Sequence, residues 1–228
     1  MKNTSPTALL LNLGHAMDHW VLVIFLYTVS VIAGVWGTDW KELTPYAFGS
    51  MFMFGAGSIV SGKLGDQWGR RVMMIIFFAG LGVSSLIIAL TSTPWQIGIA
   101  MTLMGAFASI YHPVGIPMLV QNAEKPGFTI GVNGLVGNLG IAVGSSASVW
   151  LATRFGWQMA YVVPGVISLA AAIAFYLTIG MFEALWSILL RDLGAETWLI
   201  GVTLSVFTIP MILFAPKGGA LAQRRGPI

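Results

Sequence analysis

Long apolar segments alternate with short polar ones along the chain. A helix needs about 20 predominantly apolar residues to cross a bilayer, and these segments are continuous, whereas barrel strands would alternate. The pattern therefore predicts an all-α fold, a polytopic bundle of transmembrane helices. The apolar segments lie at 8–36, 45–62, 72–91, 95–120 and 128–153, and a sixth begins at residue 157.

The C-terminal part is harder to divide into crossings. Residues 157–192 number 36, which is more than one crossing needs and fewer than two crossings with a loop require. Cytoplasmic loops carry an excess of Lys and Arg, so charge can decide the count. With a cytoplasmic N-terminus and eight crossings, the basic residues that fall inside include Lys63, Arg70, Arg71, Lys125, Lys217, Arg224 and Arg225. We therefore expect an abnormally short seventh span after a turn near Gly180 and an eighth within 197–216.

The composition mainly excludes classes of protein and kinds of site. Of the 228 residues, 57% are hydrophobic and 8% are charged, with a mean hydropathy of +0.85, whereas soluble domains carry about 25% charged residues. The absence of cysteine excludes disulfides, thiolate metal sites and cysteine nucleophiles. No nucleophile–base pair or nucleotide fingerprint stands out, so we expect neither an enzyme nor a cofactor, and the net charge of +3 requires no nucleic-acid partner. We expect a multi-pass protein of the inner (plasma) membrane with a cytoplasmic N-terminus.

The segment GKLGDQWGRR, residues 62–71, concentrates charge between the second and third apolar segments. A topology anchor explains its basic residues but not the order of its glycines and aspartate. Glycines allow a tight turn where two helices approach closely, and Asp66 is of a type favoured at a helix start. A related segment, GALAQRRG at 219–226, follows 157 residues later. A repeated membrane unit of this kind is typical of a two-halved transporter.

Segment 62–71 resembles the signature between the second and third spans of the major facilitator superfamily. The matching residues are Gly62, Leu64, Asp66, Gly69, Arg70 and Arg71. The resemblance implies that Gly62, Asp66, Gly69, Arg70 and Arg71 form a conformational-gating loop. Within the superfamily, YHPVG at 111–115 and GLVGNLGIAVG at 134–144 resemble the drug-efflux branch that includes the fosmidomycin-resistance transporters.

Members of this superfamily have twelve spans in two six-helix halves. The resemblance therefore implies that residues 1–179 form an N-terminal six-span half, and that 180–228 form part of the second half, with the short seventh span, the eighth span and the second motif copy. The central linker of the family is missing, and Met101 stands where many proton-coupled members carry arginine. We therefore expect transport ancestry in a fragment, an internally deleted product or an engineered protein.

Titratable residues inside apolar segments are the candidates for chemistry. His15, Asp18 and His19 share one face of the first helix, at i, i+3 and i+4. At 1.5 Å per residue, Asp18 lies about 15 Å along its helix, and His112 lies about 14 Å from the cytoplasmic end of the fourth segment. A carboxylate at this depth costs about 2.5–3.5 kcal/mol, so Asp18 needs a partner, a watery cavity or a proton. The four residues are predicted to form a proton-coupling or substrate site, with a structural contact between helices as the alternative.

Two prolines interrupt the fourth apolar segment just beyond His112. Pro113 and Pro117 each remove a backbone donor and free a carbonyl. Broken helices at mid-membrane depth commonly mark binding sites, which supports the same prediction.

The fifth apolar segment carries small or polar residues at helical spacing, namely Gly134, Gly137, Asn138, Gly140 and Gly144. Small residues every three or four positions let helices pack closely, so we predict a helix-packing face. In the family, the corresponding glycine-rich segment belongs to antiporters and helps to gate alternating access. The proline often found there is absent, since Ser145 follows Gly144.

The leading interpretation is a secondary active transporter, or a fragment of one, that exports small organic molecules coupled to protons by alternating access. Its partners would be a small-molecule substrate, protons, the lipid bilayer, and a second copy or a complementing half. Two alternatives stay open. One is a non-transporting membrane interaction module derived from a transporter, and the other is a metal-ion transporter that uses His15, Asp18, His19 and His112.

Overall fold

The computed structural model describes residues 5–121, 123–196, 198–199 and 202–203. These residues contain helices and no strand, which confirms the all-α prediction. The helices are α1 (Pro6–Trp36), α2 (Trp40–Leu43), α3 (Phe48–Trp68), α4 (Arg70–Ala89), α5 (Pro94–Ala108), α6 (Ile116–Val120), α7 (Pro126–Phe155) and α8 (Met159–Asp192). A 3₁₀ turn (Thr44–Ala47) joins α2 to α3, and a π-helical turn (Tyr111–Gly115) lies between α5 and α6.

Six stretches of the described residues are long and apolar enough to cross a membrane. They coincide with the six apolar segments read from the sequence. Their bounds are Pro6–Trp36, Trp40–Trp68, Arg70–Ala89, Pro94–Val120, Pro126–Phe155 and Met159–Leu177. The predicted eighth span lies almost wholly outside the described residues, and the second motif copy at 219–226 lies wholly outside them.

The prediction of a turn near Gly180 is wrong. Helix α8 runs without interruption from Met159 to Asp192, through Gly180. A single glycine costs a helix only about 1 kcal/mol relative to alanine, so it does not by itself end an apolar helical run. By its internal contacts the chain divides into two units, Met1–Tyr176 and Leu177–Ile228. The assignment of residues 180–228 to a partial second half stays a prediction.

Local chemistry sets the two ends of α1. Ser5 accepts a hydrogen bond from the backbone N–H of Ala8 at 3.2 Å, and Pro6 occupies a position where no N–H is needed. At the other end, Gly37 adopts a left-handed φ of 67°, and its N–H donates to the carbonyl of Ala33. The first apolar segment therefore becomes one uninterrupted helix with satisfied ends.

The charged segment 62–71 is a tight turn between two helices, not a ten-residue loop. Helix α3 continues to Trp68 and α4 begins at Arg70, so only Gly69 leaves the helical conformation, with a φ of 87°. This value favours glycine. Asp66 lies in the last turn of α3, so the expectation that it begins a helix is wrong. Nothing before Gly69 forces the backbone out of the helix, and the exposed polar side chains are solvated where they stand.

Helix α1 packs extensively against α7. Three glycines of α7 make this possible, because a Cβ on any of them would collide with α1. The pairs are Gly137 with the His15 ring, Gly140 with the Ala16 backbone and Gly144 with the Trp20 indole. Gly134 has nothing within 4 Å of an added Cβ, and Asn138 is exposed. Within the described part of the chain, the predicted packing face therefore consists of its three buried glycines.

Candidate functional site

Asp18 is fully buried in α1. Its side chain has 0% exposure, and within the described residues neither carboxylate oxygen has a hydrogen-bond partner. His112, in the π-helical turn, places Nε2 3.4 Å from Oδ2 of Asp18. A buried polar group without hydrogen bonds is costly, above all when it is charged. The state of this carboxyl group therefore depends on what His112, a proton or a bound cation supplies.

The structure brings all four predicted site residues together. One ring nitrogen of each of His15, His19 and His112 lies within 4.8 Å of the others. The Nε2 atoms of His15 and His19, one helical turn apart, are separated by 3.1 Å. The ring of His112 meets these two rings edge-on, with centroid distances of 5.2 and 5.8 Å. We call His15, Asp18, His19 and His112 the His–Asp cluster.

The hydrogen bonds of His15 determine which of its nitrogens carries the proton. Its Nδ1 lies 2.8 Å from the backbone carbonyl of Asn133. Because a carbonyl oxygen only accepts, Nδ1–H must be the donor, and Nε2 of the neutral ring is then an acceptor. His19 consequently donates its Nε2–H to Nε2 of His15. His15 therefore directs a lone pair into the cluster.

Asn133 holds this arrangement in place, and sequence reasoning missed it. Its side-chain Nδ2 donates to Oδ1 of Asn12 at 2.9 Å and to the hydroxyl of Tyr111 at 2.8 Å. The Tyr111 hydroxyl donates in turn to the carbonyl of Leu11 at 2.8 Å. The available signal was its position four residues before Gly137, on the glycine-lined face of α7. Three segments far apart in sequence are thus joined by one amide.

The π-helical turn places Tyr111 and His112 on the cluster. Pro113 and Pro117 lack the N–H groups that a regular helix would use here, and the chain widens into a π turn over Tyr111–Gly115. Such turns occur frequently at functional sites. Tyr111 is 0% exposed, whereas the side chain of His112 keeps 37% exposure. His112, like the half-buried His19, is therefore a point at which the cluster can be reached from outside.

Aromatic rings border the cluster on two sides. Tyr111 stacks on His15 with centroids 4.9 Å apart and an interplanar angle of 18°. Phe54 of α3 meets the ring of His112 edge-on at 5.8 Å. The polar atoms of the cluster therefore lie next to π-faces, which suits an aromatic or cationic ligand.

The predicted gating residues lie at the junction of α3 and α4. Gly62 is inside α3, Asp66 and Gly69 are exposed, and Arg70 and Arg71 begin α4. Arg70 donates from Nη1 to Oε1 of Gln121 at 3.2 Å. This bond joins the start of α4 to the residue that follows α6. A gating role for this junction stays a prediction.

Comparison with known proteins identifies the family and the fold. The sequence profile of the Major Facilitator Superfamily matches residues 8–180. The structure of the proton:xylose symporter XylE, bound to 6-bromo-6-deoxy-D-glucose, aligns with a TM-score of 0.62 over 98% of this chain and 56% of that one, at 14% identity. At such low identity the likeness shows the fold alone.

Curated relatives include transporters and resistance or export proteins. The 4-hydroxybenzoate transporter PcaK of Acinetobacter baylyi is 29% identical over 153 residues, which is 61% of this chain and 31% of that protein. The tetracenomycin C resistance and export protein of Streptomyces glaucescens is 29% identical over 119 residues, 51% of this chain and 22% of that protein. The chain spans about a third or less of the length of these relatives. They do not single out the fosmidomycin-resistance branch that the motifs resemble.

Proposed function

The chain belongs to the Major Facilitator Superfamily, and from that premise we propose that it is a proton-coupled secondary transporter of small organic molecules, or part of one, working by alternating access. A single observation carries the coupling part of this proposal. Asp18 is fully buried and has no hydrogen-bond partner among the described residues, and its Oδ2 lies 3.4 Å from Nε2 of the partly exposed His112.

A proton on the His–Asp cluster changes the charge of the interior. With Asp18 ionised, α1 carries an uncompensated carboxylate beside the π-helical turn, an arrangement that favours a cationic His112 or water nearby. With Asp18 protonated and His112 neutral, the contact between them carries no charge, so the helices around it can pack closely without water. A group whose charge favours different packings in two states can bias the equilibrium between them, which is what coupling requires.

His112 is proposed as the proton's route to water. The side chain of His112 is 37% exposed, and its Nε2 faces Oδ2 of Asp18. A proton arriving from the aqueous side would therefore pass through His112 before it reaches the buried carboxylate.

The substrate is proposed to be a small organic molecule with an aromatic ring, moved in the direction of export. The relatives named for transport of 4-hydroxybenzoate and for export of tetracenomycin C support this proposal. The ring of Phe54, partly exposed beside His112, offers an aromatic contact surface, whereas the ring of Tyr111 is fully buried against His15. Because the chain covers about a third or less of these relatives, a second copy or a complementing half is proposed to supply the rest of the pathway.

The test is flux driven by an imposed pH gradient in proteoliposomes that contain the chain, with labelled 4-hydroxybenzoate as the probe. We expect Asp18→Asn, which keeps the shape and removes the ionisation, to abolish gradient-driven flux. Glu124→Gln, an exposed carboxylate outside the cluster, is the matched control and should transport like the unmodified chain. Unchanged flux in Asp18→Asn would remove Asp18 from the coupling mechanism. A chain with no flux under any gradient would favour the non-transporting interaction module instead.

A further inference from the structure

We infer that the His–Asp cluster is a binding site for one divalent transition-metal ion of the Zn²⁺ class, held by His15, His19, His112 and Asp18. The inference concerns the same side chains as the proposed function but does not depend on transport. It follows from donor type, spacing, orientation and access.

The donor set suits such an ion. Three imidazole nitrogens lie within 4.8 Å of one another, and the buried carboxylate of Asp18 has no hydrogen-bond partner among the described residues. Imidazole is a preferred ligand of zinc, copper, iron and nickel. The three imidazoles form the observed group, and Asp18 is the proposed fourth ligand because its Oδ2 lies 3.4 Å from Nε2 of His112. Zinc accepts such a four-coordinate set of nitrogen and oxygen ligands.

The spacing also suits it. Zinc–ligand distances of about 2.0–2.1 Å place neighbouring ligands of a tetrahedral site about 3.3 Å apart. The Nε2 atoms of His15 and His19 are 3.1 Å apart, and Nε2 of His112 is 3.4 Å from Oδ2 of Asp18. Two pairs of ligand atoms therefore already have the separation that a shared ion imposes. Metal binding would replace the hydrogen bond between His19 and His15, with His19 carrying its proton on Nδ1 instead of Nε2. The farthest histidine nitrogens need to approach by no more than about 1.5 Å, within the reach of side-chain rotation.

An outer hydrogen bond orients the central ligand. Metal-ligating histidines almost always donate their second ring nitrogen to a carbonyl or carboxylate, which leaves the lone pair of the first for the metal. His15 does this, because its Nδ1–H donates to the carbonyl of Asn133 at 2.8 Å. Tyr111 stacks on the same ring and Gly137 also lies against it, so its orientation is held by packing as well.

The site has an access route and no competitor in the chain. The partly exposed ring of His112 lets an ion reach the buried carboxylate. The sequence contains three histidines, all in the cluster, and no cysteine. Imidazole or thiolate binding of a metal elsewhere in the chain is therefore excluded, which makes stoichiometry a clean measurement.

The experiment titrates the purified full chain in detergent with Co²⁺ and then displaces the cobalt with Zn²⁺, after any affinity tag has been removed. We expect one ion per chain and the intense visible absorption of four-coordinate cobalt. His19→Gln, His112→Gln and Asp18→Asn should each weaken Zn²⁺ binding by at least about ten-fold, while Glu124→Gln binds like the unmodified chain. Circular dichroism of each variant separates loss of a ligand from loss of the fold.

Three results would overturn the inference: less than half an ion bound per chain, the weak absorption of six-coordinate cobalt, or unchanged Zn²⁺ affinity in folded His19→Gln and His112→Gln. Its failure is distinguishable from that of the proposed function. Metal binding with unchanged gradient-driven flux in Asp18→Asn removes the coupling role and leaves the metal site. Loss of flux in Asp18→Asn without any metal binding supports the coupling role and removes the metal site.

Discussion

Gly137 of α7 lies directly against the imidazole of His15 of α1, so that a Cβ on this glycine would be 2.7 Å from the ring. The absence of a side chain is what lets His15 reach the carbonyl of Asn133, one turn earlier on α7, at 2.8 Å. Helix packing and the orientation of a cluster residue thus depend on the same missing methyl group.

Gly137→Ala should destabilise the protein by about 1–3 kcal/mol, because the added methyl group overpacks the contact with His15. Gly134→Ala is the matched control on the same helix, since nothing lies within 4 Å of its Cβ. It should be neutral or stabilising by up to about 1 kcal/mol through helix propensity. Thermal unfolding in detergent, followed by circular dichroism, measures both. Equal melting temperatures for the two variants would contradict the close contact between Gly137 and His15.

Asn133→Ala should cost about 1–3 kcal/mol, because it removes the donor shared by Asn12 and Tyr111 and leaves the buried amide oxygen of Asn12 without that partner. Asn138→Ala, an exposed amide on the same helix, should change stability by no more than about 0.5 kcal/mol. The same melting experiment compares them. If Asn138→Ala proved the more damaging change, the amide network would not be what joins these helices.

Gly69→Ala should destabilise the junction between α3 and α4 by about 1–3 kcal/mol, since residue 69 has a φ of 87° and a ψ of 140°, a conformation nearly restricted to glycine. Gly55→Ala, in the interior of α3 with open space around its Cβ, serves as control and should be neutral or stabilising. Limited proteolysis of the junction, alongside thermal unfolding, reports the effect. A Gly69→Ala protein as resistant as the control would show that the turn accepts another conformation at no cost.

The α3–α4 junction should face the cytoplasm, because basic residues concentrate there. The chain contains no cysteine, so single cysteines can report topology without background. In intact cells an impermeant thiol reagent should label Lys41→Cys, in the exposed start of α2, and should label Gln67→Cys only after permeabilisation. Labelling of Gln67→Cys in intact cells would invert the assigned orientation.

The sequence by itself determined the elements that depend on consecutive residues. Hydropathy is such a property, and the six apolar segments became the six helical stretches able to cross a membrane. The interruption near Pro113 follows from a backbone restriction that proline carries with it, whereas glycine at position 69 permits the turn without imposing it. The shared face of His15, Asp18 and His19 follows from helical periodicity alone.

Only the tertiary structure decided which faces of the helices meet. A helix that is apolar on all sides has no polar face to fix its rotation, so the sequence did not specify that His112 would turn toward Asp18, or that Asn133 would join α1 to the π-helical turn. Continuation of α8 through Gly180 and of α3 past Asp66 was likewise undecided by residue type, because glycine and aspartate weaken a helix without ending it. The His–Asp cluster exists because α7, through Gly137, approaches α1 closely enough to orient His15, and that approach is a property of the packed helices together.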